Sequence, residues 1–82
     1  MIFTLCIEDK EWKRDIKVNA EQKIGETILI LIDGGVLPYL QGIDNLKIFS
    51  ERVGKYVDLE KNYQQEQIYQ GDILHITQGN KR

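Results

Sequence analysis

Ile68-Tyr69-Gln70-Gly71-Asp72-Ile73-Leu74-His75-Ile76 is the stretch whose reading decides the fold. Glycine takes positive φ without steric cost and aspartate bonds its own backbone, so Gly71-Asp72 reads as a tight turn. The residues after it alternate. Ile73 and His75 share one parity and Leu74 and Ile76 the other, the period of a strand with one face on a core. Thr77-Gln78-Gly79-Asn80-Lys81-Arg82 then reads as a short polar tail, which makes 73–76 a closing strand.

Upstream, Leu46 and Ile48 alternate with Lys47 and Phe49 as another strand, and a turn near Arg52 to Gly54 leads to a short one around Tyr56-Val57. The run Asn62-Tyr63-Gln64-Gln65-Glu66-Gln67 is polar enough to be a mobile solvated loop with a single anchor, Tyr63 or Ile68. At the other end, Phe3, Leu5 and Ile7 alternate with Ile2, Thr4 and Cys6. After the charged turn Glu8-Asp9-Lys10-Glu11, Ile16 and Val18 alternate with Asp15 and Lys17. These two runs form a hairpin.

Ile24 to Asp33 is rich in β-branched residues, which local propensity would allow as a buried strand. The helical reading explains more. Ile24, Ile28, Leu31 and Ile32 fall on one helical face, Asn19 lies upstream as a cap, and Gly34-Gly35 supplies a stop. Leu29 and Ile30 lie off that stripe and either pack under the following loop or stay exposed as a contact surface. Val36-Leu37-Pro38-Tyr39-Leu40 is too apolar to be fully solvated and is expected to plug one end of the core. The order is ββαβ, a short strand, then β.

Eighty-two residues with 41% apolar content build one compact core, so 1–82 is read as a single domain. The chain has 11 basic and 13 acidic residues, a net charge of −2, which offers no strong field for nucleic acid or anionic lipid. A lone cysteine, Cys6, forms no internal disulfide, which favours a cytoplasmic home. The opening Met1-Ile2-Phe3-Thr4-Leu5 has no basic leader, and the longest apolar run, Ile28 to Ile32, is far below spanning length, so neither a signal peptide nor membrane insertion is expected.

From Leu46-Lys47-Ile48-Phe49 through Gly71-Asp72-Ile73-Leu74-His75-Ile76 the chain resembles the ubiquitin-like β-grasp family, and is most similar to the bacterial YukD or EsaB proteins that accompany type VII secretion systems. The resemblance covers nearly the whole chain and rests on order and spacing, with Ile68 six residues before Leu74. Tyr63, where the family commonly has leucine, and Glu66, where ubiquitin has tyrosine, depart from it. It implies an α+β mixed sheet of order 2-1-5-3-4 with one helix on one face. It also implies a non-conjugated, non-enzymatic accessory or regulatory protein that binds secretion-machinery components or regulators. A modifier or sulfur carrier needs a free terminal glycine, and here Gly79 is followed by Asn80-Lys81-Arg82, so that alternative would require trimming. A self-associating domain, pairing as a homodimer, is the other alternative.

No catalytic residue, cofactor or metal site is expected. Cys6 and His75 are the single thiol and imidazole in the chain, with no third group to orient them, and one of each cannot close a zinc site. Gly34-Gly35 follows a helix where a phosphate loop would precede one. With Phe3, Leu5, Ile7, Ile16, Val18, Leu46, Ile48, Leu74 and Ile76 facing the helix, their alternates face out. Cys6, Lys47, Phe49, Ile73 and His75 are therefore the candidate protein-binding residues. His75 aligns with a histidine in the apolar recognition patch of ubiquitin. Trp12, at the hairpin, is a further candidate, with packing over the sheet edge as its other reading.

Overall fold

The computed structural model describes residues 1–37 and 39–79. Pro38, expected in the core plug, and Asn80, Lys81 and Arg82, expected in the tail, lie outside the described residues. In chain order the elements are β1 (Ile2–Ile7), a single 3-10 turn (Glu8–Lys10), β2 (Trp12–Lys17), α1 (Ile24–Asp33), β3 (Leu46–Ser50), β4 (Lys55–Tyr56) and β5 (Ile73–Gln78). The strands form one sheet of order β2-β1-β5-β3-β4, with β1 and β5 parallel and the other neighbours antiparallel. This is the ubiquitin-like β-grasp fold. Among the described residues no helix is long and apolar enough to cross a membrane.

Period-two alternation sorts the sheet into two faces as the sequence predicts. Phe3, Leu5, Ile7, Ile16, Leu46, Ile48, Leu74 and Ile76 are buried, and Val18 packs half-buried just beyond β2. Ile24 and Ile28 of α1 are buried in the same core, with Leu31 and Ile32 packed on its margin. Each such side chain contributes roughly 1.5–3 kcal/mol on leaving water. Leu29 and Ile30 stay exposed, at 39% and 59%. Leu37 and Leu40 are buried and plug one end, as their apolar run requires.

Both ends of α1 are fixed by backbone groups. Gly35, at φ +76°, lets its N–H reach Ile32 O (3.1 Å) and that of Val36 reach Leu31 O (2.9 Å), closing the helix. The expected cap, Asn19, is not at the N-terminus. Lys23 is the N-cap residue and makes no side-chain cap bond, and Asn19 Oδ1 accepts the Glu21 N–H instead (2.9 Å). The first helix amides, which have no partner within the helix, are satisfied from far along the chain: Ile24 N–H donates to Lys61 O (3.0 Å) and Gly25 N–H to Leu59 O (2.9 Å).

That pairing explains why 62–67 differs from the mobile loop expected of it. Tyr63 and Ile68 are both fully buried, so the segment has two anchors, and Glu66 is buried with them. Tyr63 packs on Phe3 with ring centroids 5.3 Å apart. Glu66 accepts the Asp58 N–H (2.7 Å) and pairs with Lys55 Nζ at 3.4 Å. Asn62 and Gln65 exchange bonds, each side-chain oxygen accepting the other's amide N–H (2.7 and 3.0 Å). Polar side chains here hold backbone. The tail expected from residue 77 is also corrected, because Thr77 and Gln78 extend β5 opposite Lys47 and Leu46. Gln78 Nε2 donates to Gly42 O (3.1 Å) and Asp44 O (3.0 Å), which pulls its polar side chain into the loop before β3.

The Gly71-Asp72 turn is the junction of the sheet. Gly71 sits at φ +87°, and the buried Asp72 that follows accepts Ser50 Oγ–H at 2.7 Å, Arg52 N–H at 3.1 Å and its neighbour Ile73 N–H at 2.7 Å. A hydrogen bond is worth about 1 kcal/mol net and more to a charged group, so losing all three in Asp72→Ala should lower unfolding free energy by at least about 3 kcal/mol in a urea titration. Combined with Ser50→Ala, the loss should be smaller than the sum of the single losses, because the two changes remove one shared bond.

A second prediction concerns Tyr63. Burial pushes its phenol up to about 12, with Thr27 pulling weakly the other way, and among the described residues its hydroxyl finds no well-aligned hydrogen bond. The unfolded phenol ionises near 10. Between about pH 10 and 12 the folded chain thus holds a proton the unfolded chain has lost, so stability falls as pH rises through that window. Tyr63→Phe should flatten this part of the fall and leave neutral-pH stability equal or higher, as read by urea midpoints against pH.

Candidate functional site

The outer face of the sheet carries the site. By register Thr4 lies across from Asp15, Cys6 from Lys13, His75 from Cys6 and from Phe49, and Phe49 from Tyr56, so all of these share the face away from the helix. His75 is at its centre. Its Nε2 is hydrogen-bonded to Glu51 Oε2 at 2.7 Å, and Glu8 Oε1 lies 2.7 Å from Nδ1 without hydrogen-bond alignment. An imidazolium offers a donor to each carboxylate and a neutral ring to one only.

The candidates divide on this face. Phe49 and Tyr56 form an edge-to-face pair with centroids 5.2 Å apart, and the Lys47 ammonium stands 5.9 Å over the Tyr56 ring. Tyr56 is 61% exposed, Phe49 half-buried and Lys47 exposed, so an aromatic surface with a cation at its rim is presented to solvent. Ile73 is half-buried on the other side of His75, with Glu51 beside it through the Glu51 N–H to Ile73 O bond (3.0 Å). The apolar face expected to run from Phe49 through Ile73 to Cys6 is therefore divided by the His75–Glu51 pair.

Two candidates are less open to solvent than Tyr56. Cys6 is 4% exposed: the alternation places it on the outer face, but it lies in a pocket lined also by Lys13, Glu8, Glu51 and His75. Burial pushes its thiol up, Glu8 and Glu51 add to this and Lys13 opposes it, which is the reverse of an activated nucleophile. Trp12 pairs with Ile7, whose side chain faces the core, and lies half-buried against that core, with the Arg14 guanidinium 6.0 Å from its ring. It packs over the sheet margin and also lines the pocket that holds Cys6, Ile73 and His75.

Three residues that the sequence reading left out complete the site. Glu51 and Glu8 stand two residues beyond Phe49 and Cys6, and extending the same alternation by one step would have placed both on the outer face. Tyr56 carried no such signal, because a two-residue strand has no period. Among the described residues no group of three or more His, Cys, Asp or Glu side chains is placed to hold a metal ion. The arrangement suits recognition, with an aromatic pair, one cation and a central His75–Glu51 hydrogen bond on the sheet.

Native Cys6 should react with iodoacetamide at least about tenfold more slowly than in denaturant, given its burial and raised thiol. His75→Ala should accelerate the native reaction several-fold by uncovering one side of the thiol, followed by intact mass.

No family model matches the chain, and no curated protein matches it, so the β-grasp fold and the geometry of this face are the grounds for its function.

Proposed function

We propose that the chain is a non-conjugated ubiquitin-like protein that acts by binding, as an accessory or regulatory component of a bacterial type VII secretion system, in the cytoplasm. The observation that carries a binding role is the Phe49–Tyr56 pair, open to solvent at Tyr56, beside the hydrogen-bonded His75 and Glu51 on the outer sheet face. A partner covering such a face removes aromatic area from water while the rim charges fix its orientation. The secretion assignment rests on the resemblance to the YukD and EsaB proteins carried by residues 46–49 and 71–76.

Two further features support a protein that binds without being transferred. Gly79 N–H donates to Asn45 O (3.1 Å), which ties to the sheet the glycine that a modifier would present on a free tail. Cys6, the one thiol, is buried with its ionisation suppressed, and His75 faces carboxylates on both ring nitrogens. Neither is set up to attack a substrate.

In a bacterium with a type VII system, the tagged chain should co-purify with a membrane component of that system, and its deletion should reduce export of the system's substrates. Phe49→Asp with Tyr56→Asp should abolish co-purification while leaving the thermal midpoint nearly unchanged, since both residues face outward. Full export after deletion, with no secretion component recovered, would sink the assignment. A mass doubled in light scattering and restored by the same two changes would show that the face pairs two copies instead.

A further inference from the structure

β1 and β5 run side by side only as far as Cys6 and His75. β1 then leaves for the Glu8–Lys10 turn, while β5 continues to Gln78 with β3 alone as its partner. In that ladder Glu51 N–H reaches Ile73 O (3.0 Å) and Gly79 N–H reaches Asn45 O (3.1 Å), so the odd-numbered residues of β5 direct their backbone groups at β3. The even-numbered ones point the other way, as the Thr4 N–H to Asp72 O bond shows at the start of the strand (2.9 Å). The carbonyl of Ile76, and both the N–H and the carbonyl of Gln78, therefore face the space beyond the end of β1. Among the described residues no backbone group pairs with them.

A groove of about 950 Å³ opens there, walled by Glu8 and Asp9 of the hairpin turn, Tyr39 and Leu40 after the helix, and Phe49 and Tyr56 of β3 and β4. Its backbone edge and its charges select the occupant together. An acceptor, donor, acceptor series along a strand edge matches another extended backbone. Glu8 and Asp9 are exposed carboxylates, and the aromatic walls already hold cations, Lys10 standing 5.6 Å over Tyr39 and Lys47 5.9 Å over Tyr56. We propose that this groove binds a short extended peptide segment carrying lysine or arginine, added as a strand to the free edge of β5 between Ile76 and Gln78.

The other long open edge, β2, selects against the same segment. It exposes Lys13, Arg14 and Lys17 with Asp15 as its one acid, and cations on an edge deter strand addition. The groove does not depend on the secretion reading, since any partner with such a segment would use it.

The test titrates an end-capped hexapeptide of alternating lysine and valine into the isotope-labelled full chain, followed by amide resonances. Shifts should centre on Ile76 to Gln78 and amide exchange at Gln78 should slow. Glu8→Gln with Asp9→Asn should weaken binding about tenfold, the loss expected for two partly screened charge contacts, with an unchanged thermal midpoint showing that the variant is folded. Methylating alternate peptide nitrogens should abolish binding, because it removes the donors that Ile76 and Gln78 would accept. Equal binding of a glutamate–valine hexapeptide, equal binding of the methylated peptide, shifts centred on β2, or no binding at all would each overturn the proposal.

Discussion

Asp72 binds three strands together at one point. Its carbonyl accepts the Thr4 N–H and so begins the parallel pairing of β5 with β1, while its carboxylate accepts Ser50 Oγ–H at the end of β3 and Arg52 N–H in the turn toward β4. Ser50 Oγ in turn accepts the Val53 N–H (3.2 Å), which carries the constraint on to the next turn. A buried carboxylate is costly to leave unpaired, so each of these bonds is enforced by the cost of breaking it. The register that follows decides which face every residue of β5 occupies. A slip by one position would turn Leu74 and Ile76 to solvent and His75 into the core.

Parallel pairing of the first and last strands makes everything between them a crossover, and the two irregular parts of that crossover complete each other. α1 lacks a side-chain cap, and the loop from 57 to 68 lacks a strand of its own. The carbonyls of Leu59 and Lys61 meet the first free amides of the helix, Leu59 also packs against the core, and the loop then delivers Tyr63 and Ile68 to the core beside Phe3. Helix and loop thus complete each other's hydrogen bonding, which is why neither carries a complete local signal.

That dependence separates what was legible in the sequence from what was not. Both sheet faces and the extent of the helix could be read because each follows from a short-range period or from the Gly71-Asp72 and Gly34-Gly35 turns, whereas the strand order came from the resemblance to the β-grasp family. The helix cap could not, since its acceptors lie more than thirty residues downstream, and the polar look of Asn62 to Gln67 concealed side chains whose partners are backbone amides. In the site, Phe49, Ile73, His75 and Lys47 fell on the expected face by alternation alone. Cys6 did as well, yet alternation assigns a face and says nothing about cover, and the pocket around it is built by Glu8, Lys13, Glu51 and His75 from separate segments.

The same asymmetry that seats His75 also opens the neighbouring groove. Had β1 continued one residue past Ile7 in register with β5, the Glu8 N–H would have met the Ile76 carbonyl and closed the edge. The 3-10 turn at Glu8 to Lys10 diverts the chain before that bond forms, with Glu11 at φ 51° completing the reversal into β2. Glu8 then lies where its carboxylate comes within 2.7 Å of His75 while still lining the groove. One early strand end thus sets the charge beside His75 and leaves part of β5 unpaired, so the two proposed binding features would share a single structural origin.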